Sequence, residues 1–241
     1  MKIFNLADQE RDTYDSKARE EKEKLSEVEV REHWKMRAKR PDVQSVMSAR
    51  HTLEENLRAT DELKRAIFEF LGDLVDGKRI FELGVGIGRM TGELARRARE
   101  VVGIDMTSEM LGRARENLKS FRNVVLKLGK VTELKIPRKS FDLIFESIVL
   151  LHILNPQELR ATIKKMQELS DMIFIAEHTY EGPDFPVSKY SILRKPEEYE
   201  ELFLPYQLAR KQIVFCAGDT FSLMLFRAPP KRKDTGRAVL N

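Results

Sequence analysis

Apolar and polar positions along this chain change character near residue 60. Up to about residue 30 the sequence is dominated by DSKAREEKEKLSEVEVRE, rich in helix formers and mixed charge. With so few apolar anchors it predicts a solvated helix or a loose arm. Apolar residues return at Trp34, Met36, Val43, Val46, Met47, Leu53 and Leu57, and Pro41 splits this stretch into two short helices. Leu63, Ile67, Phe70, Leu71 and Leu74 then recur at the spacing of one buried helical face, closed by Asp76-Gly77.

Beyond that point, strand and helix patterns alternate. RIFEL, VVGID, NVVLKL, FDLIFESIVLL and DMIFIAE read as strands, and RMTGELARRARE, SEMLGRARENLKSF and PQELRATIKKMQELS as helices. Short, nearly all-apolar strands separated by helices predict a parallel sheet covered on both faces. HTYEGPDFPVSKYSILRKPEEYEELF predicts a long loop followed by a helix. QIVFCAGDTFSLMLFRA gives two apolar runs around Gly218-Asp219, an antiparallel pair closing the sheet. The tail PPKRKDTGRAVLN is Pro-led and basic and is expected to be mobile.

Composition narrows the class without deciding it. A chain of 241 residues fits one large domain with appendages. Its 43 basic residues oppose 39 acidic ones for a net charge of +4, a mixed-sign surface that does not by itself mark a nucleic-acid binder. Abundant Lys, Arg and Glu suit a heat-adapted source. The lone Cys216, in the apolar run QIVFCAG, excludes an internal disulfide framework and reads as a buried, inert thiol. MKIFNLADQERD lacks an apolar run of signal-peptide length, and no segment nears the roughly 18 apolar residues of a membrane span. A cytoplasmic protein with no membrane partner is expected, and no metal.

The chemistry concentrates in RIFELGVGIGRM, residues 79–90, where an apolar strand runs into Gly84, Gly86 and Gly88. A triphosphate loop needs Gly-Lys-Ser/Thr, but Gly88 is followed by Arg89 and Met90. A dinucleotide fingerprint needs its third glycine where Arg89 stands, which also speaks against a nicotinamide dehydrogenase. The G-x-G-x-G turn preceded by Glu82 resembles the first motif of class I S-adenosylmethionine-dependent methyltransferases. Three further stretches resemble the same family in order and spacing, over residues 60 to 178 and, with the closing strand pair, to about 228.

The resemblance implies a Rossmann-like, doubly wound α/β fold with a mostly parallel seven-stranded sheet, an antiparallel C-terminal strand pair and an N-terminal helical lid. Residues 1–58 would be the charged arm or lid, 59–228 the cofactor-binding domain and 229–241 the basic tail. Glycines at the turn would admit the ligand's methionine and ribose portions to the backbone, and Glu82 would meet its ammonium, directly or through water. In GIDMTSEML, Asp105 would take the ribose hydroxyls, with a helix N-cap as the alternative, and Met106 would lie against adenine. In LKLGKVTEL, Gly129, Lys130 and Val131 stand where many relatives carry Gly-Asp-Ala. This departure leaves adenine to backbone groups around Lys130 and Val131, with the lysine side chain at the surface. In FDLIFESIVLLHI, Asp142 opens the strand and Glu146 and Ser147 occupy its carboxyl end, facing the ligand crevice. His152 matches the last His of the family pattern, while Leu151 replaces the one before it.

The implied reaction is methyl transfer from S-adenosylmethionine to a small-molecule acceptor by in-line displacement. A general base serves only if the acceptor arrives protonated. His178 is the first candidate, with Glu177 beside it and His152 as either a base or a packed histidine. The N-terminal helices offer Trp34, Arg37, Arg50 and His51, with an arginine such as Arg50 suited to the ligand's carboxylate. An RNA (tRNA or rRNA) methyltransferase is an alternative, on the strength of KMRAKRP and KRKDTGR, but the fourth motif lacks Asn/Asp-Pro-Pro-Tyr/Phe. A non-catalytic protein that binds the same cofactor is a second. The acceptor's identity and the oligomeric state, a homodimer included, stay open.

Overall fold

The computed structural model describes residues 16–48, 51–179 and 188–230. Arg50, the first part of the arm, the start of the loop after β5 and the basic tail lie outside the described residues. One sheet holds seven strands: β1 (Arg79–Leu83), β2 (Glu100–Asp105), β3 (Val124–Leu128), β4 (Leu143–Ser147), β5 (Met172–His178), β6 (Gln207–Cys216) and β7 (Asp219–Arg227). Their order is β3-β2-β1-β4-β5-β7-β6. The first five strands are mutually parallel, and β7 runs antiparallel to both β5 and β6. The order reverses between β1 and β4, so a crevice opens outside their carboxyl ends, where open α/β sheets hold ligands.

Apolar strand runs place side chains on both faces. Leu63, Ile67, Leu94, Phe145 and Phe174 form part of the core on one side, and Phe81, Ile144, Ile163, Met166 and Tyr199 on the other. The first cluster draws on α3 (Leu53–Leu71) and α4 (Thr91–Arg97), the second on α6 (Pro156–Leu169) and α7 (Pro196–Leu202). Each large apolar side chain so buried contributes about 1.5–3 kcal/mol. Cys216 is buried in the first cluster, and burial pushes its thiol up to about 11. No described helix is long and apolar enough to cross a membrane, and no described group of three or more His, Cys, Asp or Glu is placed to hold a metal ion.

Several boundaries depart from the hydrophobic pattern. β4 ends at Ser147 because Ile148 turns to φ +60°, and Leu150–His152 form a short 3-10 turn. β6 begins at Gln207, well before its apolar run, since an exposed edge strand needs only its hydrogen-bonding partner. The hairpin turns at Ala217-Gly218, with φ of +49° and +85°, one residue earlier than the Gly218-Asp219 dipeptide predicts.

The N-terminal arm is not featureless. It holds α1 (Ser16–Glu23) and α2 (Glu27–Arg37), the latter started by a reciprocal capping box between Ser26 and Glu29. Val30 anchors α2 against Leu154 and Ile192. Arg37 spends its guanidinium on the carbonyls of Gln44, Ser45 and Met47, so it shapes the connector instead of facing a ligand carboxylate. From α5 (Ser108–Asn117), Arg113 ties down the carbonyls of Ala38, Arg40 and Asp42. A second capping box, Thr52 with Glu55, starts α3, which therefore runs through the boundary placed after residue 58.

Candidate active site

The glycine turn is built by the end of β1 and braced by β2. Gly84 and Val85 donate to the carbonyl of Ile104 at 2.9 and 3.0 Å, which swings the chain across the top of β2. Gly84 has φ +73°, and a Cβ there would stand 2.2 Å from Cγ2 of Val149. No side chain fits, on both conformational and steric grounds. Asp105 completes the turn. Its Oδ2 accepts from Gly86 N at 2.9 Å, and its Oδ1 accepts from Thr107 N and Oγ1 at 2.9 and 3.0 Å. Burial nonetheless holds its carboxyl above the usual value. Asp105 is thus two residues ahead of the helix cap, bracing the glycine loop with lone pairs to spare.

Glu82 is 2% exposed, and its Oε2 has no hydrogen-bond partner. Burial pushes its carboxyl up to about 8, against opposing pulls from Thr91 and the Arg89 guanidinium. Arg89, the residue that spoiled the dinucleotide motif, also leaves Nη1 without a partner. Burial lowers it to about 10, so it stays charged. A buried carboxyl with an orphaned oxygen, at the floor of a cleft, is an unmet demand for a donor.

A cavity of about 150 Å³ joins these groups to the ends of β3 and β4. Of the residues the sequence singled out, Glu82, Gly84, Gly86, Asp105 and Met106 line it, as do Gly129, Lys130, Val131, Ser147 and His152. Trp34 and Val30 of α2 form part of its wall. Gly88 lies outside the lining, and a Cβ there would meet Leu118 at 2.8 Å, so its role is close packing against α5. Lys130 is not a free surface lysine. Its side chain is 19% exposed, and its ammonium pairs with Glu27 of α2 and with Glu158 of α6 at 2.8 Å.

The acids at the ends of β4 and β5 are not in that lining. Glu146 and Glu177 are fully buried beneath the 3-10 turn. Glu177 Oε1 accepts from Val149 N and Leu150 N at 3.0 and 2.8 Å, and its Oε2 from Leu151 N and Tyr199 Oη at 3.1 and 2.9 Å. Glu146 Oε1 accepts from Val149 N at 2.5 Å. Burial, and Glu177 beside it, hold Glu146 well above the ordinary carboxylate range. The pair therefore carries a proton on Glu146, and Glu177 is committed to the turn's N–H groups instead of facing an acceptor. Position at a strand's carboxyl end told where these acids are but not which way they point.

The histidines divide similarly. His178 lies against Phe221 with Nε2 3.9 Å from Asp219 Oδ1, away from the cavity lining. His152 is in the wall. Its Nδ1 donates to the carbonyl of Tyr190 at 2.7 Å, which leaves Nε2 as the acceptor of a neutral ring. Burial lowers His152 to about 3. Trp34 meets it edge-on at 4.7 Å, and His33 stacks on Tyr190 at 3.9 Å. Glu158 and His33 are contributors that no sequence motif marks, whereas Val149 lies within FDLIFESIVLLHI without a role read for it and Tyr190 lies in the loop expected to carry substrate contacts.

Comparison with known proteins agrees with this geometry. A family model described as a methyltransferase domain matches residues 80–170. Phosphoethanolamine N-methyltransferase 1 of Arabidopsis thaliana is 30% identical over 157 residues, 62% of this chain and 31% of that protein. Demethylmenaquinone methyltransferase of Tropheryma whipplei is 35% identical over 94 residues, 39% of this chain and 38% of that one. The chain thus spans about a third of the length of these curated relatives. Among solved structures, phosphoethanolamine N-methyltransferase 1 of Haemonchus contortus, with phosphoethanolamine and S-adenosylhomocysteine, superposes with a TM-score of 0.63 at 17% identity. That match covers 87% of this chain and 50% of the other. The N-methyltransferase NodS of Bradyrhizobium japonicum, with S-adenosylhomocysteine, gives 0.63 at 15% identity, covering 83% and 98%. The residues present fit such a cofactor: an orphaned Glu82 oxygen for its ammonium, a glycine turn closed to any Cβ, and spare Asp105 lone pairs for its ribose. Residues 80–170 thus match a methyltransferase domain, and the chain has the fold of these S-adenosylhomocysteine-bound methyltransferases.

Proposed function

We propose that this chain is an enzyme that methylates a small molecule, at a nitrogen held beside His152. One observation carries the reading: a single cavity runs from Glu82, Asp105 and the glycine turn to the free Nε2 side of His152. When bound, S-adenosylmethionine supplies an activated sulfonium methyl. Glu82 and Asp105 hold its two polar ends, and the apolar wall of Val30, Trp34 and Ile153 excludes water. Because His152 is neutral across the physiological range, it orients an acceptor N–H through Nε2 and does not store the proton. The acceptor amine therefore loses its proton to solvent before it is seated.

Two features favour an amine that also bears an anionic group. Two of the relatives named above are phosphoethanolamine N-methyltransferases, and the positive charges of Arg40 and Lys189 act on His33 at the edge of the site, where burial lowers it to about 4. Helix α2 serves as the lid, since it brings Val30 and Trp34 into the cavity wall. Incubation with methyl-labelled S-adenosylmethionine and a panel of small amines, phosphoethanolamine among them, tests the function. Label should pass to a small amine, and His152→Ala should lower kcat/KM by about 100-fold. Label passing only to RNA, or an unchanged His152→Ala enzyme, would overturn the reading.

A further inference from the structure

At the end of the cavity beyond Asp105, the chain carries a charge arrangement opposite to the one its motif leads one to expect. The position after Gly129, where an acid would face the base, is Lys130, and its side chain is drawn between two carboxylates from distant elements. Glu27 comes from the first turn of α2 and Glu158 from the first turn of α6. Glu27 is also paired with Arg31 at 2.6 Å, so two cations meet two carboxylates here, and Glu158 has Lys130 as its ion-pair partner. Glu158 lines the cavity together with Lys130, Val131, Met106 and Thr162, whereas Glu27 does not. Glu158 commits Oε1 to Lys130 at 2.8 Å, and among the described residues its Oε2 has no hydrogen-bond partner. An ionised carboxylate only accepts hydrogen bonds. One held in place by a lysine, in a wall otherwise made largely of methionine and aliphatic groups, is suited to an N–H donor entering the cavity.

We propose that Glu158, fixed by Lys130, is the acceptor for the exocyclic amine of the cofactor's adenine, and so selects a 6-amino purine. This rests on the reading that the cavity holds S-adenosylmethionine. Asp105 would fix the sugar end, and Met106, which follows it in sequence, shares the cavity lining with Glu158, so the base would meet Glu158 from a cavity already committed to its ribose. Lys130 has two tasks. It holds the Glu158 carboxylate in place, and through Glu27 it ties the same corner to α2.

Calorimetry with the full chain tests this, using S-adenosylhomocysteine and its 6-deamino analogue, in which hydrogen replaces the exocyclic amine. The natural compound should bind about 10- to 100-fold more tightly, the range for a hydrogen bond to a charged group. Glu158→Met should erase that preference by weakening S-adenosylhomocysteine alone, and Glu158→Gln, whose amide oxygen still accepts, should keep part of it. Equal binding of the two compounds by the unaltered protein, or an undiminished preference in Glu158→Met, would overturn the assignment. Failure of both compounds to bind the unaltered protein would overturn the cofactor reading itself.

Discussion

Exchanging Glu82 for glutamine removes a carboxyl that the fold holds neutral, and the consequence is calculable. In the unfolded chain this group titrates at its ordinary 4.5, but burial against Phe81, Leu83 and the glycine turn moves it to about 8. Between those two values the folded state keeps a proton that the unfolded state has released. Stability therefore falls as pH rises through the window, by about 1.4 kcal/mol per pH unit. It is flat below 4.5 and above 8. The accumulated loss is about 3 kcal/mol at neutral pH. The facing charged groups are Arg89, which works against the shift, and Asp105, which adds to it. Glu82→Gln keeps the shape and cannot ionise, so urea unfolding across the window should show the variant gaining on the parent steadily with pH. The same proton should leave when S-adenosylhomocysteine brings its ammonium to Glu82. Calorimetry in buffers of different ionisation enthalpy should then detect nearly one proton released at neutral pH, and none from Glu82→Gln. Parallel stability curves, or no proton release, would refute the reasoning.

Three further outcomes follow from the geometry. Gly84→Ala forces a β-carbon into Val149 at a left-handed backbone position, and should abolish cofactor binding while lowering stability by about 1–3 kcal/mol, read by calorimetry and urea unfolding. Glu146→Gln, which mimics the protonated acid, should leave stability within about 1 kcal/mol of the parent, whereas Glu177→Gln, which weakens the carboxylate's bonds to Val149, Leu150, Leu151 and Tyr199, should cost about 2–4 kcal/mol. Comparable losses from the two would show that the proton is not on Glu146. If α2 is a lid, saturating S-adenosylhomocysteine should slow proteolytic cleavage at Lys35 and Arg37, and unchanged cleavage would count against it.

The parallel core was legible because each strand is buried on both faces, so its composition alone reports its environment: RIFEL became β1 residue for residue. The glycine turn and Asp105 were legible because their chemistry is local, with the acid reaching back from the next strand end to Gly86 N. What escaped depended on remote partners or on backbone direction. Helix α2 shows little amphipathicity, and the residues that make sense of Val30 and Trp34 lie more than a hundred positions away, at Leu154, Tyr190 and Ile192. Lys130 resembled a surface lysine because Glu27 is 103 positions distant. Glu146 and Glu177 were placed at the correct strand ends, but their direction depends on the bend at Ile148, where a β-branched residue adopts φ +60° and no residue preference announces it.

Binding of S-adenosylhomocysteine, compared between the parent chain and Asp105→Ala by titration calorimetry, tests the central claim most directly. Asp105 both braces the glycine turn at Gly86 and lines the cavity. The parent should bind one equivalent, and Asp105→Ala should bind at least about 10-fold more weakly, as expected for loss of hydrogen bonds to a charged group. No heat with the parent, or equal affinity in the two proteins, would contradict the account.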